Sequence, residues 1–166
     1  MTKVNFKSPP VSLKGDLPST GSIAPDFELI AKDLNGKTLM GFKGNTLILN
    51  IFLNLNTPVC AASVKKFNEL ATKLEGVKIL AISKDLLFAH HRFCSGEGIE
   101  NDINLSGFKC DSGFGDNYGV EMIDGPLEGL FARAVIIIDN EERIKYTQLV
   151  PEITEEPDYD DVLKAI

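Results

Sequence analysis

Thr46-Leu47-Ile48-Leu49-Asn50-Ile51-Phe52-Leu53 runs directly into Asn54-Leu55-Asn56-Thr57-Pro58-Val59-Cys60. The first eight residues are almost continuously apolar, the pattern of a strand covered on both faces. From Val59 to Leu74 the apolar positions Cys60, Val64, Phe67, Ala71 and Leu74 recur at steps of four and three, one face of an amphipathic helix. Strand, turn and helix in that order place the turn at the strand's carboxyl end, where α/β folds carry their sites. Thr57 suits the N-cap, because its hydroxyl can accept from a free amide of the first turn. Pro58 suits the first helical position, where a missing N–H costs nothing. Cys60 then falls in the first turn, beside unpaired N–H groups and the positive end of the helix dipole. Such surroundings favour the thiolate and lower a cysteine pKa to roughly 3.5–7.5. A buried cysteine packing as a small hydrophobe is the competing reading, and position alone leaves both open.

The 166 residues suffice for one domain, 1–166, with a sizeable core. A hydrophobic share of 43% beside 25% charged residues is the composition expected of an ordinary soluble globular protein. The net charge of −7, without a basic patch, argues against nucleic acid or an anionic membrane as partner. No window approaches the roughly 18 apolar residues of a membrane span. Met1 to Lys7 has no apolar core like that of a signal peptide, so the expected compartment is cytoplasmic. Three cysteines, Cys60, Cys94 and Cys110, are too few for a disulfide-stapled secreted domain.

Outward from the central stretch, Val4 and Phe6 alternate with Val11 and Leu13 around Ser8-Pro9-Pro10, an amino-terminal β-hairpin. Asp26 to Ile30 reads as a short strand, and Thr38 to Met40 pairs back across Asn35-Gly36. Val77 to Ile82 and Ala132 to Ile138 are further core strands, and Arg143 to Leu149 returns from a turn. Asp85 opens a helix that runs to Cys94 and ends at Gly96 and Gly98. Asn101 to Gly119 is glycine-rich and reads mostly as loop, and Asp158 to Ile166 as a terminal helix. This order gives an α/β fold with a central mixed sheet and helices on both faces. It is compatible with a thioredoxin-like fold, but the chain lacks the C-x-x-C of a plain disulfide reductase.

Cys60 and Cys94 lie 34 positions apart, each near the end of an expected helix. A nucleophilic thiolate can be oxidised to a sulfenic acid, and a second thiol can resolve it as a disulfide. Two unrelated buried thiols fit the same spacing. Arg133 interrupts an apolar strand, and a buried guanidinium needs an anionic partner. Asp26 or Glu28 is the plain candidate, and the Cys60 thiolate the functional one. His90 and His91 precede Cys94 by four and three positions, a spacing that also admits a metal site. Lys32-Asp33 and Glu152 to Glu156 read as solvated surface. Cys110 falls in a loop without an assignable role.

Four segments in order carry a resemblance. Thr57-Pro58-Val59-Cys60-Ala61-Ala62-Ser63-Val64-Lys65-Lys66-Phe67 resembles the active-site segment of the bacterial thiol peroxidases, peroxiredoxins of the atypical two-cysteine kind. Arg92-Phe93-Cys94-Ser95-Gly96-Glu97-Gly98 resembles their resolving-cysteine segment. Asp124-Gly125-Pro126-Leu127 with Ala132-Arg133-Ala134-Val135 resembles their arginine-bearing strand. Glu152 to Tyr159 resembles their carboxy-terminal signature. The resemblance implies a thioredoxin-like fold with an amino-terminal hairpin, a homodimer, and no metal, flavin or heme. It implies reduction of hydrogen peroxide and alkyl hydroperoxides, with thioredoxin as reductant. Carried over by position, Cys60 is the peroxidatic cysteine and Cys94 the resolving one, Thr57 orients the peroxide, and Arg133 holds the thiolate and polarises the O–O bond.

The chain departs from the family at two positions. Leu53 stands where the pattern has proline, and Asn56 where aspartate is usual. Neither removes a reacting atom. The Leu53 change keeps a second reading in play, a slow peroxide-sensing thiol switch.

Overall fold

The computed structural model describes residues 1–109 and 113–166. The described residues form nine strands, four α-helices and one 3-10 turn. β1 (Lys3–Asn5) and β2 (Pro10–Ser12) form the expected hairpin, with Val4 opposite Val11. β3 (Glu28–Ile30) and β4 (Gly36–Thr38) pair antiparallel, and a 3-10 turn over Leu39–Phe42 follows. That turn replaces the expected strand at Leu39 and Met40. Leu39 and Phe42 turn inward there as core residues.

β5 (Thr46–Ile51) leads into α1 (Pro58–Ala71), then β6 (Val77–Ser83), α2 (Leu87–Glu97) and β7 (Asp102–Ser106). α3 (Phe114–Asn117), β8 (Ala134–Ile138), β9 (Ile144–Leu149) and α4 (Tyr159–Lys164) complete the chain. The main sheet has seven strands in the order β4-β3-β7-β6-β5-β8-β9. β5, β6 and β7 run parallel, as βαβ crossovers require, and β8 lies antiparallel to β5.

β7 corrects the loop expected over Asn101 to Gly119. Its residues alternate, with Leu105 in the core of one sheet face and Asp102, Asn104 and Ser106 at the opposite parity. Its polar side chains concealed it in the sequence. Asp85 does not open α2, whose N-cap is Leu86, and Gly96 lies inside the helix rather than ending it. Gly98 is the left-handed cap, at φ 67°. Arg133 sits one residue before β8 instead of within it.

Even positions of β5 and odd positions of β6 and β8 face α1 and α4, where Ile48, Ile79, Val135 and Ile137 meet Phe67, Leu70 and Val162. The opposite face packs on Phe27, Leu39, Phe42, Phe114, Tyr118 and Phe131, drawn from loops, the 3-10 turn and α3. Phe67 is wholly buried and meets the Tyr159 ring edge-on at 5.3 Å between centroids. Phe67→Ala is therefore expected to cost about 3–5 kcal/mol of folding stability, read as a lower denaturant midpoint with an unchanged slope.

Candidate active site

Thr57 caps α1 as the sequence suggests. Its Oγ1 accepts from the Cys60 N–H at 3.4 Å and its hydroxyl donates to the Asn54 carbonyl at 3.1 Å. The turn before it is anchored from outside, because the Leu55 N–H donates to the Asp85 carboxylate at 3.0 Å. Behind Cys60, the Ser63 hydroxyl donates to the Cys60 carbonyl at 2.9 Å. Cys60 is thus fixed in the first turn of α1 and is 1% exposed.

Strand register brings Arg133 to it. Ile51, the last residue of β5, pairs with Ala134, the first of β8. Arg133 is therefore level with the chain leaving β5 toward the cap. Its Nη2–H donates to Cys60 Sγ at 3.2 Å. Nε and Nη2 both donate to the Ile153 carbonyl, at 3.2 and 3.1 Å. Arg133 is 1% exposed and forms no ion pair with a carboxylate among the described residues. Asp26, the plain partner suggested by sequence, instead accepts from the Phe27 and Leu39 N–H groups. The segment 152–156 is not simply solvated surface. Ile153 is buried and stitched to β1, through Ile153 N–H to the Asn5 carbonyl and Asn5 N–H to the Pro151 carbonyl.

A cavity of about 330 Å³ opens beside Thr57 and Arg133. Phe6, Leu53, Val59, Leu127, Leu130 and Ile153 give it apolar walls. Leu53, at the family's proline position, is buried in that wall. Arg133 Nη1 has no hydrogen-bond partner among the described residues. Asn56 is exposed and makes no contact with the Cys60 sulfur.

Cys94 lies on α2, half-buried and free, and packs at the border of the apolar cluster that contains Cys60. Its sulfur accepts from Asn104 Nδ2 at 3.3 Å. Asn104 Oδ1 faces His90 Nδ1 at 3.1 Å, and His90 Nε2 faces the Ser83 hydroxyl at 3.1 Å. That hydroxyl donates to the Asp85 carboxylate at 2.8 Å. A polar chain thus runs beneath α2 from the Leu55 amide to the Cys94 sulfur. Burial pushes the Cys94 thiol up from its ordinary value, against the Asn104 hydrogen bond, which favours the thiolate. Burial likewise holds His90 below its ordinary value.

Both His90 ring nitrogens face protein partners, and among the described residues no three His, Cys, Asp or Glu side chains gather as a metal site. Cys110 lies outside the described residues. The structure joins Thr57, Cys60 and Arg133 in one place and sets Cys94 apart on its own polar chain. Sequence reasoning missed the Ile153 carbonyl, a main-chain acceptor with no residue signature, and it took Asp85 for a helix start. Asn104 was hidden in the unrecognised β7.

The Redoxin family model matches residues 19–163. The thiol peroxidase of Corynebacterium glutamicum is 46% identical over 166 residues, covering 100% of this chain and 99% of that protein. The thiol peroxidase of Mycobacterium tuberculosis is 44% identical over the same span. A peroxiredoxin-like protein from Aquifex aeolicus superposes with a TM-score of 0.91 at 42% identity, covering 99% of this chain and 95% of that one. Full-length likeness at this identity, on a seven-stranded sheet with a cysteine capped at the start of α1, places the chain in the thiol peroxidase branch of the Redoxin family.

Proposed function

We propose that the protein is a thiol-dependent peroxidase that reduces hydrogen peroxide and organic hydroperoxides to water and alcohols. The observation that carries this reading is the buried Arg133 guanidinium, hydrogen-bonded to the Cys60 sulfur with no carboxylate among the described residues to neutralise it. A buried cation needs an anion, and the Cys60 thiolate is the anion within its reach. Cys60 acts as the peroxidatic cysteine. Its sulfur attacks one peroxide oxygen, the O–O bond breaks, and the departing oxygen takes up a proton as water or alcohol. Cys60 is left as a sulfenic acid.

Arg133 serves this step as a donor, and the Thr57 hydroxyl as a second once it turns from the Asn54 carbonyl. Arg133 lines the cavity, and its Nη1, without a partner among the described residues, is a donor free for the oxygen on which negative charge develops. Apolar walls admit an alkyl chain behind the peroxide. Leu53 fills volume in that wall, which supports a working pocket over the slow thiol switch. Cys94 acts as the resolving cysteine. Its thiolate attacks Cys60 sulfur, the S–S bond forms, the S–O bond breaks, and the hydroxide leaves as water with the proton that Cys94 gave up. Thioredoxin re-reduces the disulfide by thiol exchange. No helix among the described residues is long and apolar enough to cross a membrane. A cytoplasmic homodimer completes the reading, on family likeness.

Cys60→Ser is expected to abolish hydroperoxide consumption, and full turnover in that variant would end the proposal. Cys94→Ser should consume about one equivalent and then stop with thioredoxin as reductant. Arg133→Met removes two donors from the site. Its second-order rate constant with hydroperoxide should fall by about 10²–10³ in stopped-flow measurements.

A further inference from the structure

The anchors of the two thiols stand apart. Arg133 precedes β8, while Asn104 lies on β7, three places away across β6 and β5. At about 4.8 Å per strand that is roughly 14 Å, and a disulfide needs about 2 Å between sulfurs. Both cysteines are free thiols, so forming the disulfide moves Cys94 toward Cys60 together with the helix that carries it. α2 is built to leave easily. Only Leu87 and His90 of its residues are buried, its N-cap makes no side-chain hydrogen bond, and a glycine, Gly96, stands in its last turn.

Under α2 lies Asp102, the first residue of β7. It is 8% exposed, and neither carboxyl oxygen has a hydrogen-bond partner among the described residues. It lines a cavity of about 410 Å³ together with Cys94. The ionisable groups facing that cavity are His90, His91 and Cys94 from α2, Glu100 from the α2–β7 turn, and Lys32 from the β3–β4 turn. From α1 the nearby polar group is neutral Asn68, which accepts from the Asn101 N–H. None pairs with Asp102. A buried carboxylate left in that state is costly, and water relieves the cost once the helix lifts.

We propose that Asp102 is a positioning residue of the resolving step: its carboxylate, shut without a partner between β7 and α2, works α2 loose from the sheet and so delivers Cys94 to the Cys60 sulfenic acid. The inference rests on the peroxidase reading for its chemistry, but the loosening of α2 is independent of peroxide. Burial raises the packed Asp102 carboxyl from an ordinary 3.8 to about 7. Below about pH 4 it is protonated whether α2 is packed or lifted, and it adds no bias. As pH rises toward 7 the lifted form ionises first, and release gains up to about tenfold per pH unit. Above about 7 the gain is complete and level. His90, held below its ordinary 6.5 when packed, acts in the opposite direction as pH falls. That contribution is shared by wild type and an Asp102 variant, and it cancels in their ratio.

The test uses the full chain as wild type, Asp102→Asn and Asp102→Leu. In reduced protein without peroxide, amide exchange of α2 is followed from pH 4.5 to 8 and corrected for intrinsic exchange. The wild-type to variant ratio of α2 opening should climb with pH and level off near 7. After one equivalent of hydroperoxide, both variants should form the Cys60–Cys94 disulfide at least about tenfold more slowly at pH 7.5. Their Cys60 sulfenic acid, trapped by a dione, should accumulate while the first oxidation keeps its rate. Parallel pH profiles in all three proteins, or faster α2 opening in the variants, overturns the role of Asp102. An opening ratio that follows pH as stated, with no sulfenic acid or disulfide in any protein, leaves the Asp102 device standing and removes the peroxidase reading instead.

Discussion

A guanidinium buried without a carboxylate partner among the described residues organises this molecule. Arg133 joins the two halves of the site, with one donor on the Cys60 sulfur and two on the Ile153 carbonyl. Moving such a charge out of water is expensive. Several elements therefore converge on it. β8 brings the backbone, α1 brings the sulfur, and the hairpin fixes the carbonyl through Asn5. The amino-terminal hairpin is therefore part of the site's scaffold, although none of its side chains reacts.

The two cysteines sit in unequal surroundings. Cys60 belongs to a long helix that buries Val64, Phe67 and Leu70 and is capped by Thr57. Cys94 belongs to a helix with two buried residues and no side-chain cap. A rigid seat suits a sulfur that must meet a small substrate in one geometry. A loosely held helix suits a sulfur that must travel. The polar chain from Asp85 through Ser83, His90 and Asn104 ties the mobile element to the turn before Thr57. Motion of α2 and order at the Cys60 turn thus share the Asp85 carboxylate.

Much of this was legible in the chain itself. The apolar run of β5, the Thr57-Pro58 start and the spacing of α1 are strong local signals, and all three reappear in the structure. β7 was lost because Asp102, Asn104 and Ser106 occupy one of its faces, so the strand reads as polar loop. Only Ile103 and Leu105 keep the two-residue rhythm. Arg133 was readable as an anomaly with the Cys60 sulfur as one of its candidate partners, but its second partner was not. One is a sulfur 73 positions away, and the other is a main-chain oxygen. Sequence pattern reports which side chains avoid water, while the pairing of buried polar atoms is decided by how distant strands register.

Because Ile153 holds the arginine with a peptide oxygen, the grip has no proton to gain and no functional group to lose. Acid that would neutralise a carboxylate tether leaves this one unchanged. The identity of residue 153 is answerable only for filling an apolar space, and the hold survives any replacement that preserves the path of the chain. What the position must supply is shape, and the electrostatics come from the backbone.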